Sequence, residues 1–307
     1  MNVREWALIA FTILSQMSVG AFVVLGFVHF FAARKAGEAE ADRLSDRALL
    51  AIGPVIVLAL LVSLFHLGNP LNAYRAVANV GQSWLSREIL ASVLFAGTGA
   101  LFAFMQWRKL GGFAVRTVVA GIAALIGLFL VYSMSMVYQL PLQPAWNTIG
   151  TPVAFFTTTL LLGVLALGAA FVANYAYVRR QAADCAEAQC ELLRGALRWF
   201  AVASVVLMGI EIVVAPLQVA YLAATTVAEA RASAAMMFND FGLVLALRLV
   251  LVFVGAGLLG VFLYRNAASP GRENVLGSLA YAAFALVLVS EVLGRFMFYA
   301  AHVKIGL

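Results

Sequence analysis

Long apolar stretches alternate with short polar ones along the whole chain. Eight stretches are predominantly apolar: roughly 6–33, 48–67, 88–107, 113–138, 151–178, 196–222, 241–264 and 276–302. Each is long enough to cross a hydrocarbon layer of about 30 Å as a helix, which takes about 20 residues, and too long for a strand. Breaks fall at Arg34-Lys35, Gly68-Asn69-Pro70, Arg108-Lys109, Pro141 to Pro144, Arg179-Arg180, the 229–240 stretch and Ser269-Pro270-Gly271. Backbone polar groups in lipid must be satisfied internally. The pattern therefore predicts an all-α, polytopic membrane protein with eight transmembrane helices in one bundle, and a single integral membrane domain over 1–307. No internal repeat is evident. The polar segments 34–47, 68–87 and 179–195 read as the longest connections, none long enough for a separate domain.

Composition agrees. Of 307 residues, 64% are hydrophobic and only 11% charged, against about 25% charged in soluble domains. This excludes a soluble enzyme, a disordered chain and a disulfide-stapled secreted domain. The net charge of +6 is scattered in short clusters between apolar runs, which fits membrane orientation better than nucleic-acid binding.

Lys and Arg are concentrated in the connections after helices one, three, five and seven, as in Arg34, Lys35, Arg43 and Arg47 or Arg179, Arg180, Arg194 and Arg198. The other side carries only Arg4, Arg75, Arg87, Arg231 and Lys304. The positive-inside rule then puts both termini and the even-numbered loops outside the cytoplasm. The first apolar run is too long for the core of a signal peptide and reads as a retained anchor.

Residues able to carry chemistry are few. Cys185 and Cys190 cannot build a four-thiolate cluster and read as unpaired thiols of a cytoplasmic connection. Of the three histidines, His29 falls near the cytoplasmic end of helix one and reads as interfacial. His66 and His302 fall at the outer ends of helices two and eight, the only two that could together hold a b-haem. His66-Leu67-Gly68-Asn69-Pro70 reads as the end of helix two, with Gly68 suited to a left-handed cap and Pro70 preventing continuation. At the same face Ser86-Arg87-Glu88 opens helix three, with Ser86 as a possible N-cap and Glu88 favourable in the first turn. Between them lie Tyr74, Arg75, Asn79, Gln82 and Trp84. Four more charges, Glu211, Arg248, Glu291 and Arg295, fall inside helices six, seven and eight, in one broad layer at or outside the midplane. Charges there are costly unless paired or hydrated. Glu291 and Arg295 have the favourable i, i+4 order. The layer reads equally as a structural ion network or as a polar wall near a cofactor or proton path.

The chain resembles the membrane anchor subunits of bacterial dimethyl sulfoxide reductases. The resemblance is carried by Glu5-Trp6 leading into Phe11-Thr12, by His66-Leu67-Gly68-Asn69-Pro70, by Leu85-Ser86-Arg87-Glu88-Ile89, by Trp146, Thr151-Pro152 and Phe155-Phe156, by Asp240 with Gly242, and by Glu291-Val292-Leu293-Gly294-Arg295 continuing to Phe298-Tyr299 and His302. It implies a subunit that binds and oxidises a quinol, usually menaquinol although ubiquinol remains open. Electrons would pass to an iron–sulfur subunit and then to a molybdopterin subunit, with no haem or iron–sulfur cluster in this chain. By resemblance His66 and Glu88 match positions linked to the quinol. His66 would hydrogen-bond one quinol oxygen and Glu88 would collect a proton. Gly68, Pro70, Tyr74, Arg75, Glu291 and Arg295 complete the candidate binding residues. The iron–sulfur partner is expected on the outer face, over 68–87, 139–150 and 223–240. The rival readings are a haem-b cytochrome subunit and an ion- or proton-coupled transporter that uses the buried Glu/Arg layer, with Pro216 breaking helix six.

Overall fold

The computed structural model describes residues 3–65, 74–75, 78–181, 187–267 and 273–306. The described residues form helices and turns without strands. The helices are α1 (Val3–Ala36), α2 (Glu38–Ser63), α3 (Trp84–Arg108), α4 (Phe113–Val137), α5 (Gly150–Gln181), α6 (Glu187–Ala224), α7 (Ala228–Asn239), α8 (Gly242–Val252), α9 (Leu259–Ala267) and α10 (Glu273–Ala300). Eight stretches are long and apolar enough to span a membrane, the seventh being α8 and α9 joined through a π-helical segment, Phe253–Leu258.

Two helices form the axis of the bundle. In α1 and α5, 72% and 78% of the spanning window is buried, whereas the other six lie between 22% and 33%. The outer helices spend most of their surface on the apolar layer, as Leu58, Val118, Leu125, Val213 and Leu243 do. The axis is built on glycine. A Cβ on Gly20 of α1 would stand 1.8 Å from the Thr159 carbonyl oxygen, and one on Gly163 of α5 would stand 2.2 Å from the Gly20 carbonyl carbon. The two backbones touch. Helix association in lipid lacks the hydrophobic drive of water, so close contact between small residues has to supply the attraction. Around the axis α2 packs on α1, α3 on α4, α6 on α5, and α8 to α10 close the far side.

Several boundaries differ from the sequence reading. Residues 34–47 are not an open connection: α1 and α2 meet at Gly37, whose φ of 89° is open to glycine at little cost. The first turns of α2 stay helical because their polar groups find partners. Arg116 donates to Asp42 at 2.8 Å and to Gln106 at 2.9 Å, Gln106 donates to both Asp42 and Asp46, and Lys109 pairs with Asp46 at 2.9 Å. Likewise α6 starts at Glu187, nine residues before the expected 196, and Gln189 donates to Glu40 of α2. Cys190 is disulfide-bonded, which corrects the reading of free thiols. Pro216 does not break α6, which runs through it. The 229–240 stretch is not a plain connection but contains α7.

The π segment has a packing cause. A Cβ on Gly255 would meet Val287 at 2.8 Å, so α10 lies hard against it, and Ser204 of α6 brings its hydroxyl to 3.3 Å from the Ala256 carbonyl. A wider turn here leaves a carbonyl that a neighbouring side chain can reach.

The end of the bundle that carries the N-terminus is capped. Ala230 and Ala234 of α7 pack with Ala145, Trp146, Val219 and Leu222. Val303 N–H donates to Ser233, and Ile305 N–H donates to the Leu142 carbonyl at 3.0 Å, so the C-terminal tail is tied to the 139–149 segment.

The axis yields a direct expectation. Gly163→Val must push α1 and α5 apart and should cost at least about 2 kcal/mol, read as a clear fall in the thermal midpoint of the detergent-solubilised protein. Gly99→Ala, where a Cβ meets nothing within 4 Å, should leave the midpoint unchanged or slightly raised.

Candidate functional site

The candidate residues divide between the capped end of the bundle and a layer just beneath it. His66, Gly68 and Pro70 lie outside the described residues. Helix two stops before them: α2 ends at Ser63, whose hydroxyl returns to the Leu60 carbonyl, and Leu64 is a right-handed cap. The expected helix end at 66–68 is therefore displaced. Tyr74 and Arg75 are exposed and engage each other, Arg75 Nε donating to the Tyr74 hydroxyl at 3.2 Å.

The N-terminus of α3 also shifts. Ser83, not Ser86, is the N-cap, its hydroxyl accepting from Ser86 N–H. Arg87 donates to the Val80 and Gly81 carbonyls, both at 2.8 Å, and stacks over Trp84 at 4.2 Å. It holds the approach to the helix. Glu88 consequently falls past the first turn and faces inward, 8% exposed. No hydrogen bond reaches its carboxyl group from the described residues. Its electrostatic neighbours are Tyr138 and Tyr299.

These two tyrosines form the centre of a polar and aromatic cluster. Their hydroxyls are 2.7 Å apart, and Thr12 of α1 stands 3.4 Å from Tyr299. Trp146 stacks on Phe298 and donates its indole N–H to the Phe298 carbonyl at 2.7 Å. His302 tilts against Trp146 at 4.4 Å, with Nδ1 2.9 Å from the Tyr299 carbonyl. Burial holds its imidazole below the ordinary range, against that backbone contact. His29 lies in the other half of α1, about 25 Å further along at 1.5 Å per residue from Thr12. There it touches Ser45 of α2 at 2.7 Å. His29 and His302 thus cannot share a haem.

Arg295 is the hinge between this cluster and the deeper layer. Its guanidinium lies 3.8 Å over the Phe155 ring and donates to Gln16 Oε1 at 3.0 Å, while Gln16 Nε2 donates to the Phe155 carbonyl at 2.9 Å. The expected Glu291/Arg295 pair does not close, and Arg295 makes no salt bridge among the described residues. Glu291 accepts instead from Thr158 of α5 at 2.7 Å. The tight ion pair is Arg248 with Glu211, across α8 and α6. It is seated by Gly294, where a Cβ would lie 2.5 Å from the Arg248 guanidinium carbon. These groups face a cavity of about 90 Å³ lined by Phe155, Thr158, Glu211, Gln218, Arg248 and Arg295. Four buried polar atoms there have no hydrogen-bond partner among the described residues: Glu211 Oε2, Glu291 Oε1, Arg248 Nε and Arg295 Nε.

Sequence reasoning missed Gln16, Thr158 and Tyr138. Gln16 and Thr158 are polar residues within apolar runs, a detectable signal. Tyr138 sits at an expected helix end, where tyrosine is ordinary. Among the described residues no group of three metal-ligating side chains comes together.

An eight-span helical bundle with buried acids and bases at one end defines a polytopic membrane protein. Comparison with known proteins identifies which. The family model for the DMSO reductase anchor subunit (DmsC) matches residues 1–301, and the protein belongs to that family. The C subunit of anaerobic dimethyl sulfoxide reductase from Escherichia coli K12 is 27% identical, over 99% of this sequence and 97% of that one. The YnfH subunit of an anaerobic dimethyl sulfoxide reductase from the same organism is also 27% identical, with the same coverage. The C subunit from Haemophilus influenzae is 25% identical over 99% and 96%. Among solved structures, bd oxidase from Geobacillus thermodenitrificans shares the fold, with a TM-score of 0.63 at 13% identity over 97% of this sequence and 85% of that one. The protein is therefore a membrane anchor subunit of the dimethyl sulfoxide reductase family.

Removing one member of the buried ion pair should be costly. Arg248→Met leaves Glu211 without its cation and should destabilise by about 3 kcal/mol. Adding Glu211→Gln should recover most of that loss in the same thermal assay. Equal midpoints for the single and double variants would contradict the pairing.

Proposed function

We propose that this anchor binds menaquinol or ubiquinol at its capped end, oxidises it and passes the electrons to an iron–sulfur subunit, which feeds a molybdopterin subunit of the same complex. The observation that carries the reading is Glu88, a buried carboxyl group without a hydrogen-bond partner among the described residues, facing the Tyr138–Tyr299 pair.

Oxidation of a quinol releases two electrons and two protons. The site needs an acceptor for protons, hydrogen-bond partners for two ring oxygens, and exclusion of bulk water. Glu88 as carboxylate takes one hydroxyl proton. The imidazole of His66 hydrogen-bonds the other oxygen and can accept its proton, because histidine titrates near neutral pH. The tyrosine hydroxyls can donate to an oxygen as it becomes a carbonyl, and the aromatic wall of Trp146, Phe155 and Phe298 suits a flat ring. Arg295, a cation without a salt bridge among the described residues, favours the anion formed when the first proton leaves. Arg75 lies on the exposed approach with Tyr74, where it suits an entry role better than direct contact.

The capped end also suits the partner. Leu142, Ile149 and Ile305 are exposed there on segments tied together by backbone hydrogen bonds. Exposed apolar residues on a rigid frame favour protein docking. The positive-inside rule puts this face outside the cytoplasm. Electrons and protons then leave on one side, and the reaction moves little net charge across the membrane.

The test compares quinol-dependent turnover of the assembled complex with turnover from an artificial dye donor. Loss of a proton-transferring group typically costs at least about 100-fold. His66→Ala and Glu88→Gln should each lower quinol turnover on that scale while dye turnover and assembly persist. Full quinol activity in both variants would refute the assignment.

A further inference from the structure

At the arginine-rich end of the bundle, remote from the N-terminus, two cations gather at the seam between α6 and α9. Arg198 of α6 reaches across to α9: its guanidinium lies 4.7 Å over the Tyr264 ring and donates to the Tyr264 hydroxyl at 2.9 Å. Arg265, the next residue of α9, is exposed. Among the described residues no carboxylate pairs with either. The acids of this end are engaged elsewhere: Asp42 and Asp46 with Arg116 and Lys109, Glu40 with Arg43, and Glu191 with Lys35. Arg198 uses one of its five N–H donors on Tyr264 and keeps the others for an outside acceptor.

The seam itself is closed. A Cβ on Gly260 of α9 would stand 3.1 Å from the Ser204 hydroxyl and 3.3 Å from Val205 of α6. Arg194 of α6 donates to the Ala267 carbonyl at 3.0 Å and fastens the end of α9. A ligand therefore lies over the seam, not between the helices. The surface it meets there is apolar. Val202 and Val206 follow Arg198 at i+4 and i+8 on α6, and Val261 and Leu258 precede Arg265 by four and seven residues, so each pair shares the face of its arginine. All four are exposed, as is Phe262 beside them. At 1.5 Å per residue each stripe runs about 10 Å from its arginine towards the middle of the membrane. Trp199, 73% exposed, and Tyr264 stand beside the arginines, at the level where aromatic side chains mark the headgroup region. A free anion needs only the cations, and an uncharged lipid only the stripes. Together they match an anionic amphiphile.

We propose that the α6–α9 seam binds one anionic phospholipid of the leaflet at this end of the bundle. Arg198 and Arg265 hold the phosphate, and the acyl chains lie on the two apolar stripes. Guanidinium groups suit this task because their planar array of donors matches the oxygens of a phosphate. Tyr264 is a positioning residue: its ring and hydroxyl hold Arg198 over the seam, where the side chain would otherwise extend into water. The positive-inside rule makes this the cytoplasmic end, and basic pockets between helices on that side attract anionic headgroups. The site is independent of the quinol reading, which concerns the opposite end.

The test is native mass spectrometry of the full chain in detergent, offered equal amounts of phosphatidylglycerol and phosphatidylcholine with matched acyl chains. Wild type should retain one phosphatidylglycerol with a preference of about tenfold or more, the scale expected of two interfacial arginines. The double variant Arg198→Gln/Arg265→Gln should lose that preference, and an unchanged thermal midpoint in phosphatidylcholine shows that it is folded. Tyr264→Phe, which keeps the ring and removes the hydroxyl, should weaken the preference while leaving both arginines in place. Arg34→Gln, which removes an exposed arginine elsewhere at the same end, should leave it intact. Equal retention of the two lipids by wild type, or a preference that survives the double variant, overturns the site. Equal loss in Arg34→Gln means a diffuse ring of charge and overturns it too. Displacement of the lipid by inorganic phosphate would show that the apolar stripes contribute nothing, which overturns the assignment of a phospholipid.

Discussion

The contact between Gly20 and Gly163 governs the rest of the structure. Only where two helices lack side chains can their backbones touch, and that contact sets the spacing of α1 and α5 for several turns on either side. One turn towards the capped end Gln16 reaches the Phe155 carbonyl and still offers its oxygen to Arg295. At the next turn Thr12 meets Tyr299. With larger residues at the crossing, Gln16 could not span the gap, and Arg295 would be a buried cation with neither its amide partner nor its seat on Phe155. A packing device in the middle of the membrane therefore positions chemistry near its edge.

Charge is distributed by the same logic. At the end of the bundle remote from the N-terminus, Asp42, Asp46, Gln106, Lys109 and Arg116 satisfy one another in a compact network. At the capped end the arrangement is incomplete. Glu88 has no hydrogen bond to its carboxyl group from the described residues, Arg295 no carboxylate among them, and the Glu211–Arg248 pair leaves an oxygen and a nitrogen open to a cavity. Buried polar groups without partners cost stability unless water or a ligand serves them. Their concentration on one side distinguishes the capped half of the bundle from the half that holds the Asp42–Arg116 network.

Much of this was legible in the chain. Eight spans, their approximate limits, the family and the four deep charges all follow from apolar run lengths and short motifs. The errors have physical causes. Residues 38–47 and 187–195 are polar yet helical, because helices continue past the bilayer when their acids and amides find partners. Glu291 and Arg295 have the right spacing for a pair, but neighbouring helices offered Thr158, Gln16 and an aromatic face, and tertiary context won over local spacing. Ser83 rather than Ser86 caps α3 because Arg87 fixes the preceding turn by its own carbonyl contacts. The π segment had no reliable signal, since it arises from the pressure of α10 on Gly255. His66 carries much of the resemblance and lies beyond the described residues, so its role rests on the motif alone.

The central claim is that the quinol ring sits at the capped end beside Glu88 and the tyrosine pair. The most direct measurement is photolabelling of the assembled complex with a quinone that carries a photoreactive group on the ring, followed by peptide mapping. Labels should fall on the start of α3, around Tyr138 and along 295–302, and should be competed away by unlabelled quinol. Labelling confined to the Asp42–Asp46–Arg116 end, or spread evenly along the lipid-facing helices without competition, would contradict the account.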